Sequence, residues 1–168
     1  WRQQWRSAFD TRHREIIQTS SKLASAMAEH AAIIRELITD RYRVEDNDDP
    51  LHVLFERFRE ILLHDLDPAA FADMVAQTIT YGLFSAAEQT DNLTYASMVA
   101  LIPPTNPFLK QLLQTLIDEA HLDLSELGVG SLVNLLREVD VARITQDFGR
   151  QTASGAEDPV IHFYEQFL

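Results

Sequence analysis

The residues best suited to chemistry are an acidic pair followed closely by histidine, a short glycine turn and six scattered histidines. Asp118-Glu119-Ala120-His121 spells the magnesium-aiming box of a nucleotide-driven motor, which needs a preceding strand and a glycine-rich phosphate loop ending in Lys-Ser/Thr. The residues before it repeat instead with helical period, and the loop is absent. Gly128-Val129-Gly130 lacks the strand and third glycine of a dinucleotide loop, and reads as a turn before Ser131. His13, His30, His52, His64, His121 and His162 form no His-x-x-x-His or Glu-x-x-His pair, so a metal site would need convergence in space. No serine sits in a nucleophile elbow, and there is no Asp/Glu-x-Lys nuclease triplet.

Pro103-Pro104-Thr105-Asn106-Pro107-Phe108 holds the residue types of the loop that grips a flipped adenine in amino-methyltransferases, but in the wrong order. Asn106-Pro107 opening a helix accounts for the same residues. The sequence therefore predicts no catalytic, cofactor-binding or metal-binding residue of its own.

The scaffold around these residues reads as one helical domain over 1–168. Four Asp/Asn-Pro pairs, at 49–50, 67–68, 106–107 and 158–159, mark helix starts: the acid or amide caps first-turn N–H groups, and proline has none to lose. None carries Glu or Gln three residues after the cap. Ile16, Leu23, Met27, Ile34 and Ile38 lay an apolar stripe along a long first helix of about residues 8–43. Leu51, Leu54, Phe55, Phe58, Ile61 and Leu62 form a second, amphipathic stripe. From Pro68 to about Ala87 the chain is apolar on nearly every side, the pattern of a helix surrounded by others. Leu109, Leu112, Leu113, Leu116 and Ile117 make a further stripe, with shorter helices near 131–138, 141–149 and 159–168. The expected fold is all-α, a bundle of about six to eight helices without significant sheet, its central part spanning about 50–168.

Composition limits function. The chain has 168 residues, no cysteine and a formal charge of −12. At that length a core can form without disulfides, and no apolar run reaches the ~20 residues that span a bilayer. No thiolate zinc site or disulfide scaffold is possible, and a cytoplasmic location with no membrane partner is expected. The opening at Trp1 reads as the boundary of a fragment. A strongly acidic chain opposes free-standing nucleic-acid binding. The charge is uneven, however: residues 1–60 hold ten of the fourteen Lys/Arg, so Arg2, Arg6, Arg12 and Arg14 are the candidate DNA contacts, with a solvated helix face as the favoured alternative.

Two segments are unusual. Asp73, Gln77, Thr80 and Tyr81 form a polar row on an otherwise apolar helix and should hydrogen-bond to neighbouring helices, while Gly82 suggests close packing. Asp158 to Leu168 crowds large apolar groups together. Val160, Phe163, Tyr164 and Phe167 share a stripe, which leaves Ile161 and Leu168 on a flank expected to dock a further domain.

Phe71 to Phe84, Ile102 to Leu109, Asp147-Phe148-Gly149-Arg150-Gln151-Thr152 and Asp158 to Leu168 together resemble large adenine-specific DNA methyltransferases of bacterial restriction–modification systems, of the single-chain type ISP and type IIG style. The resemblance covers about residues 50–168. It carries Phe71, Asp73, Gln77, Tyr81, Gly82, Asn106, Pro107, Phe108, Phe148, Asp158, Pro159, His162 and Tyr164 as motif and structural residues. It implies a helical spacer between a nuclease or motor and the methyltransferase domain. It also implies a parent enzyme that uses S-adenosylmethionine, meets DNA elsewhere in its chain, and has its catalytic Asn-Pro-Pro-Tyr loop beyond residue 168. The alternatives from other classes are an autonomous helical interaction module and, with least in its favour, a small helical enzyme.

Overall fold

Five helices are delimited among the described residues of the structure, a computed structural model that describes residues 17, 19–44, 49–61, 64–94, 97, 100–101, 114 and 124–151, with residues 61 and 147–151 described by backbone alone. They are α1 (Ser20–Val44), α2 (Pro50–Ile61), α3 (Pro68–Ala87), α4 (Val129–Glu138) and α5 (Val141–Gln151). No strand occurs among the described residues, in keeping with the all-α expectation.

The helix α1 begins at Ser20, and residues 8–16 of the expected span 8–43 lie outside the described residues. Ile17 is non-helical, and Thr19 caps the helix by accepting from Lys22 N–H at 3.3 Å while its carbonyl accepts from Leu23 N–H at 3.0 Å. The run Thr19-Ser20-Ser21 explains the start, because short hydroxyl side chains compete for backbone groups and favour caps over helix interiors. Leu23, Met27, Ile34 and Ile38 then enter the core as the stripe requires. Ile16 lies outside the described residues.

The two described Asp-Pro pairs both open helices. Asp67 Oδ1 accepts from Ala70 N–H at 2.8 Å before α3, and Asp49 Oδ1 accepts from Leu51 N–H at 2.8 Å before α2. The pairs at 106–107 and 158–159, the stripe over 109–117 and the segment 159–168 fall outside the described residues, apart from residue 114. A further cap is Asp140: the chain turns extended at Val139 to end α4, and Asp140 Oδ1 accepts from Arg143 N–H at 3.0 Å to start α5. Acidic caps suit the positive end of the helix dipole.

The third helix sits at the centre. Phe71, Ala72, Val75, Ala76, Ile79, Leu83, Phe84 and Ala86 are buried on several sides of it, and it packs most extensively on α1 while also touching α4 and α5. Leu51, Leu54, Phe55 and Phe58 of α2 join the same core. An aromatic relay fixes this corner. Tyr42 meets the edge of Phe55, and Phe55 and Phe58 each meet Phe71 edge-on with centroids 5.3 and 6.0 Å away. Such pairs add about 0.5–1.5 kcal/mol each beyond burial.

Candidate functional site

The polar row on α3, partly buried at Asp73, Gln77 and Tyr81 and buried at Thr80, is the first place where polarity within the bundle could serve a function. Asp73 reaches across to α1, where Arg35 Nη1 lies 3.4 Å from Asp73 Oδ1. Its other oxygen accepts from Gln77 Nε2 at 2.8 Å, one turn along the same helix. Thr80, fully buried, donates to Ala76 O at 2.8 Å rather than to a neighbouring helix. The expectation of cross-helix bonds therefore holds for Asp73 but not for Thr80, because a threonine hydroxyl finds the carbonyl four residues back before any distant partner. Tyr81 is half-buried, Gly82 is buried and Phe71 is a core side chain.

A stronger polar junction lies where α1, α2 and the turn before α4 meet. Arg41, in the last turn of α1, donates from Nη2 to Asp49 Oδ2 at 2.9 Å and from Nη1 to Glu126 Oε2 at 2.8 Å. The Asp49 side chain is almost wholly buried, whereas that of Glu126 is 63% exposed. Hydrogen bonding to Asp49 is the main reason the Arg41 guanidinium holds its proton more tightly than usual, with burial opposing and Glu126 assisting. Beside it, His52 stacks on Tyr42 with ring centroids 4.0 Å apart. The His52 Nδ1 and Ser85 Oγ atoms are buried without a hydrogen-bond partner. Burial is the chief cause of the raised pKa of Tyr42, with Glu56 raising it further and Arg59 opposing.

A third junction joins α4 to the loop after α3. Arg137 donates from Nε to Leu93 O at 2.8 Å and also from Nη2. Next to it, Thr94 and Ser97 exchange bonds: Ser97 Oγ accepts from Thr94 N–H at 2.7 Å, and Thr94 Oγ1 accepts from Ser97 N–H at 3.1 Å. This is a reciprocal capping box with serine in place of Glu or Gln. Gln89 Nε2 closes the loop by donating to Leu101 O at 2.7 Å.

Arg41 and Arg137 fasten elements together in addition to the Arg35–Asp73 contact of the polar row, and sequence reading missed both. Glu126 and Leu93 are each dozens of positions from their arginine, so no local spacing announces the contact. Among the described residues no group of three or more His, Asp or Glu side chains is placed to hold a metal. Phe148 belongs to α5 by backbone. Asn106, Pro107, Phe108, Asp158, Pro159, Ile161, His162, Tyr164 and Leu168 lie outside the described residues, as do Arg2, Arg6, Arg12 and Arg14. No described helix is long and apolar enough to cross a membrane. No protein-family description, characterised protein or solved structure matches the chain significantly.

Proposed function

We propose that this chain is a helical spacer of a single-chain restriction–modification enzyme, setting an N6-adenine methyltransferase domain at a fixed distance from an upstream nuclease or motor. The observation that supports this reading is how the charged side chains are used. Arg35 ties α1 to α3, Arg41 ties the end of α1 to the cap of α2 and to the turn before α4, and Arg137 ties α4 to the loop after α3, which is what a stiff coupler requires. The resemblance of the segments between Phe71 and Leu168 supports the family named in this reading, and the junctions support a stiff role for the domain. In this reading the whole chain completes a cytoplasmic bundle of six to eight helices. S-adenosylmethionine and the DNA target are handled by the parent's other domains.

The coding sequence that follows Leu168 tests the proposal. An Asn-Pro-Pro-Tyr or Asn-Pro-Pro-Phe motif within the next ~200 residues, about one domain's length, is the expected result. A stop codon directly after Leu168, with an initiator Met upstream, would transfer the assignment to an autonomous interaction module. Calorimetric titration of the purified chain with S-adenosylmethionine is expected to give no binding heat. Micromolar affinity would place cofactor chemistry in this domain and overturn the spacer reading.

A further inference from the structure

We infer that the outer side of α1 docks a basic amphipathic helix of a partner polypeptide, an inference independent of the restriction–modification reading. Ile33, Leu37 and Val44 are 50%, 37% and 84% exposed, on a helix whose other large aliphatic residues are buried. At about 100° per residue they fall within about 40° of one another and make one stripe. Glu29, Glu36 and Asp40, all exposed, occupy the adjoining sector over the same turns. The apolar stripe thus has an acidic row along one border.

The other border is the turn that ends in Gly128, and the fold keeps it low. Gly128 has φ +73°, and a Cβ built there would lie 3.0 Å from Leu37 Cδ1 and 3.6 Å from Ile33 Cγ2. Glycine therefore brings backbone against these two side chains without a group that would cover them. A step results, with an aliphatic floor, a backbone wall on one side and carboxylates on the other. Charge complementarity selects the occupant. A helix presenting aliphatic or aromatic residues on one side and Lys or Arg beside them can place both sets at once, whereas an acidic or uniformly polar helix cannot. The sequence beyond Val44 reinforces the sign, since Glu45, Asp46 and Asp48 follow it.

The test uses the whole chain and a fluorescent leucine/lysine peptide, about five helical turns long, with leucines on one face and lysines on the other. A scrambled peptide of the same composition controls for attraction to an acidic protein. Anisotropy at physiological salt is expected to show the amphipathic peptide binding about tenfold or more tightly than the scrambled one. The same loss is expected for an I33D/V44D variant and for an E29K/E36K variant, both confined to exposed positions so that circular dichroism should report an intact fold. If the patterned peptide does not bind, or if the scrambled peptide or either folded variant binds equally well, the docking face is refuted.

Discussion

Asp49 serves Arg41 and the start of α2 with different oxygens: Oδ2 accepts from the guanidinium at 2.9 Å, while Oδ1 accepts from Leu51 N–H at 2.8 Å. One buried carboxylate thus caps a helix and anchors the end of the preceding one. Glu126 completes the junction from the solvent side.

The two carboxylates on Arg41 should be unequal in energy. Double-mutant cycles by urea unfolding are expected to give a coupling of about 2 kcal/mol or more for Arg41 with Asp49, since removing either partner leaves the other charge poorly solvated. The Arg41–Glu126 coupling should stay below about 1 kcal/mol, the range of exposed pairs. Equal couplings would show that burial does not set the strength of this junction.

Gly128→Ala should destabilise the chain by about 1–2 kcal/mol, because alanine pays for the left-handed backbone and its methyl meets Leu37. Adding Leu37→Ala to that variant removes the collision but not the backbone cost. Thermal unfolding should then show less than additive loss in the double variant. Full additivity would mean the contact contributes nothing.

Asp67→Ala should cost about 1 kcal/mol through loss of the α3 cap, and Asp67→Asn only a fraction of that, since asparagine caps nearly as well. Chemical denaturation midpoints at constant slope provide the measurement. A charge effect alone would instead make the two substitutions equivalent.

Tyr42 gives a pH dependence whose sign follows from linkage. Its phenol is raised above the ordinary value of 10.0, so the folded chain keeps a proton that the unfolded chain releases. The contribution to stability is complete below pH 10 and is lost as pH rises through the higher folded value. Alkaline denaturation of Tyr42→Phe should start at higher pH than that of the parent chain. An unchanged onset would mean that Tyr42 ionises without penalty in the fold.

Local features were legible in the sequence because their causes are local. The caps at Asp49 and Asp67 depend on a carboxylate within a few residues of the N–H groups it serves. The burial of Leu23, Met27, Ile34 and Ile38 follows from spacing that puts them on one side of a helix. The surrounded character of α3 was equally visible, since a helix with apolar residues on nearly every side has to be enclosed. The boundary of α1 at Ser20 was less legible, because the apolar spacing continues on both sides of Thr19, whereas its hydroxyl satisfies the backbone and caps the helix there.

What the sequence could not fix is which distant groups meet. Arg41 finds Glu126, and Arg137 finds the Leu93 carbonyl, only after α1, α3 and α4 have packed and brought together residues far apart in the chain. The stripe of α1 left open beside Gly128 was hidden for the same reason. Periodicity shows that Ile33, Leu37 and Val44 share a side of the helix, but only the packed neighbours decide whether that side is covered. Helix formation depends on interactions spanning three or four residues, which a sequence displays directly. Junctions and open faces depend on how whole helices pack, and that exists only in the folded chain.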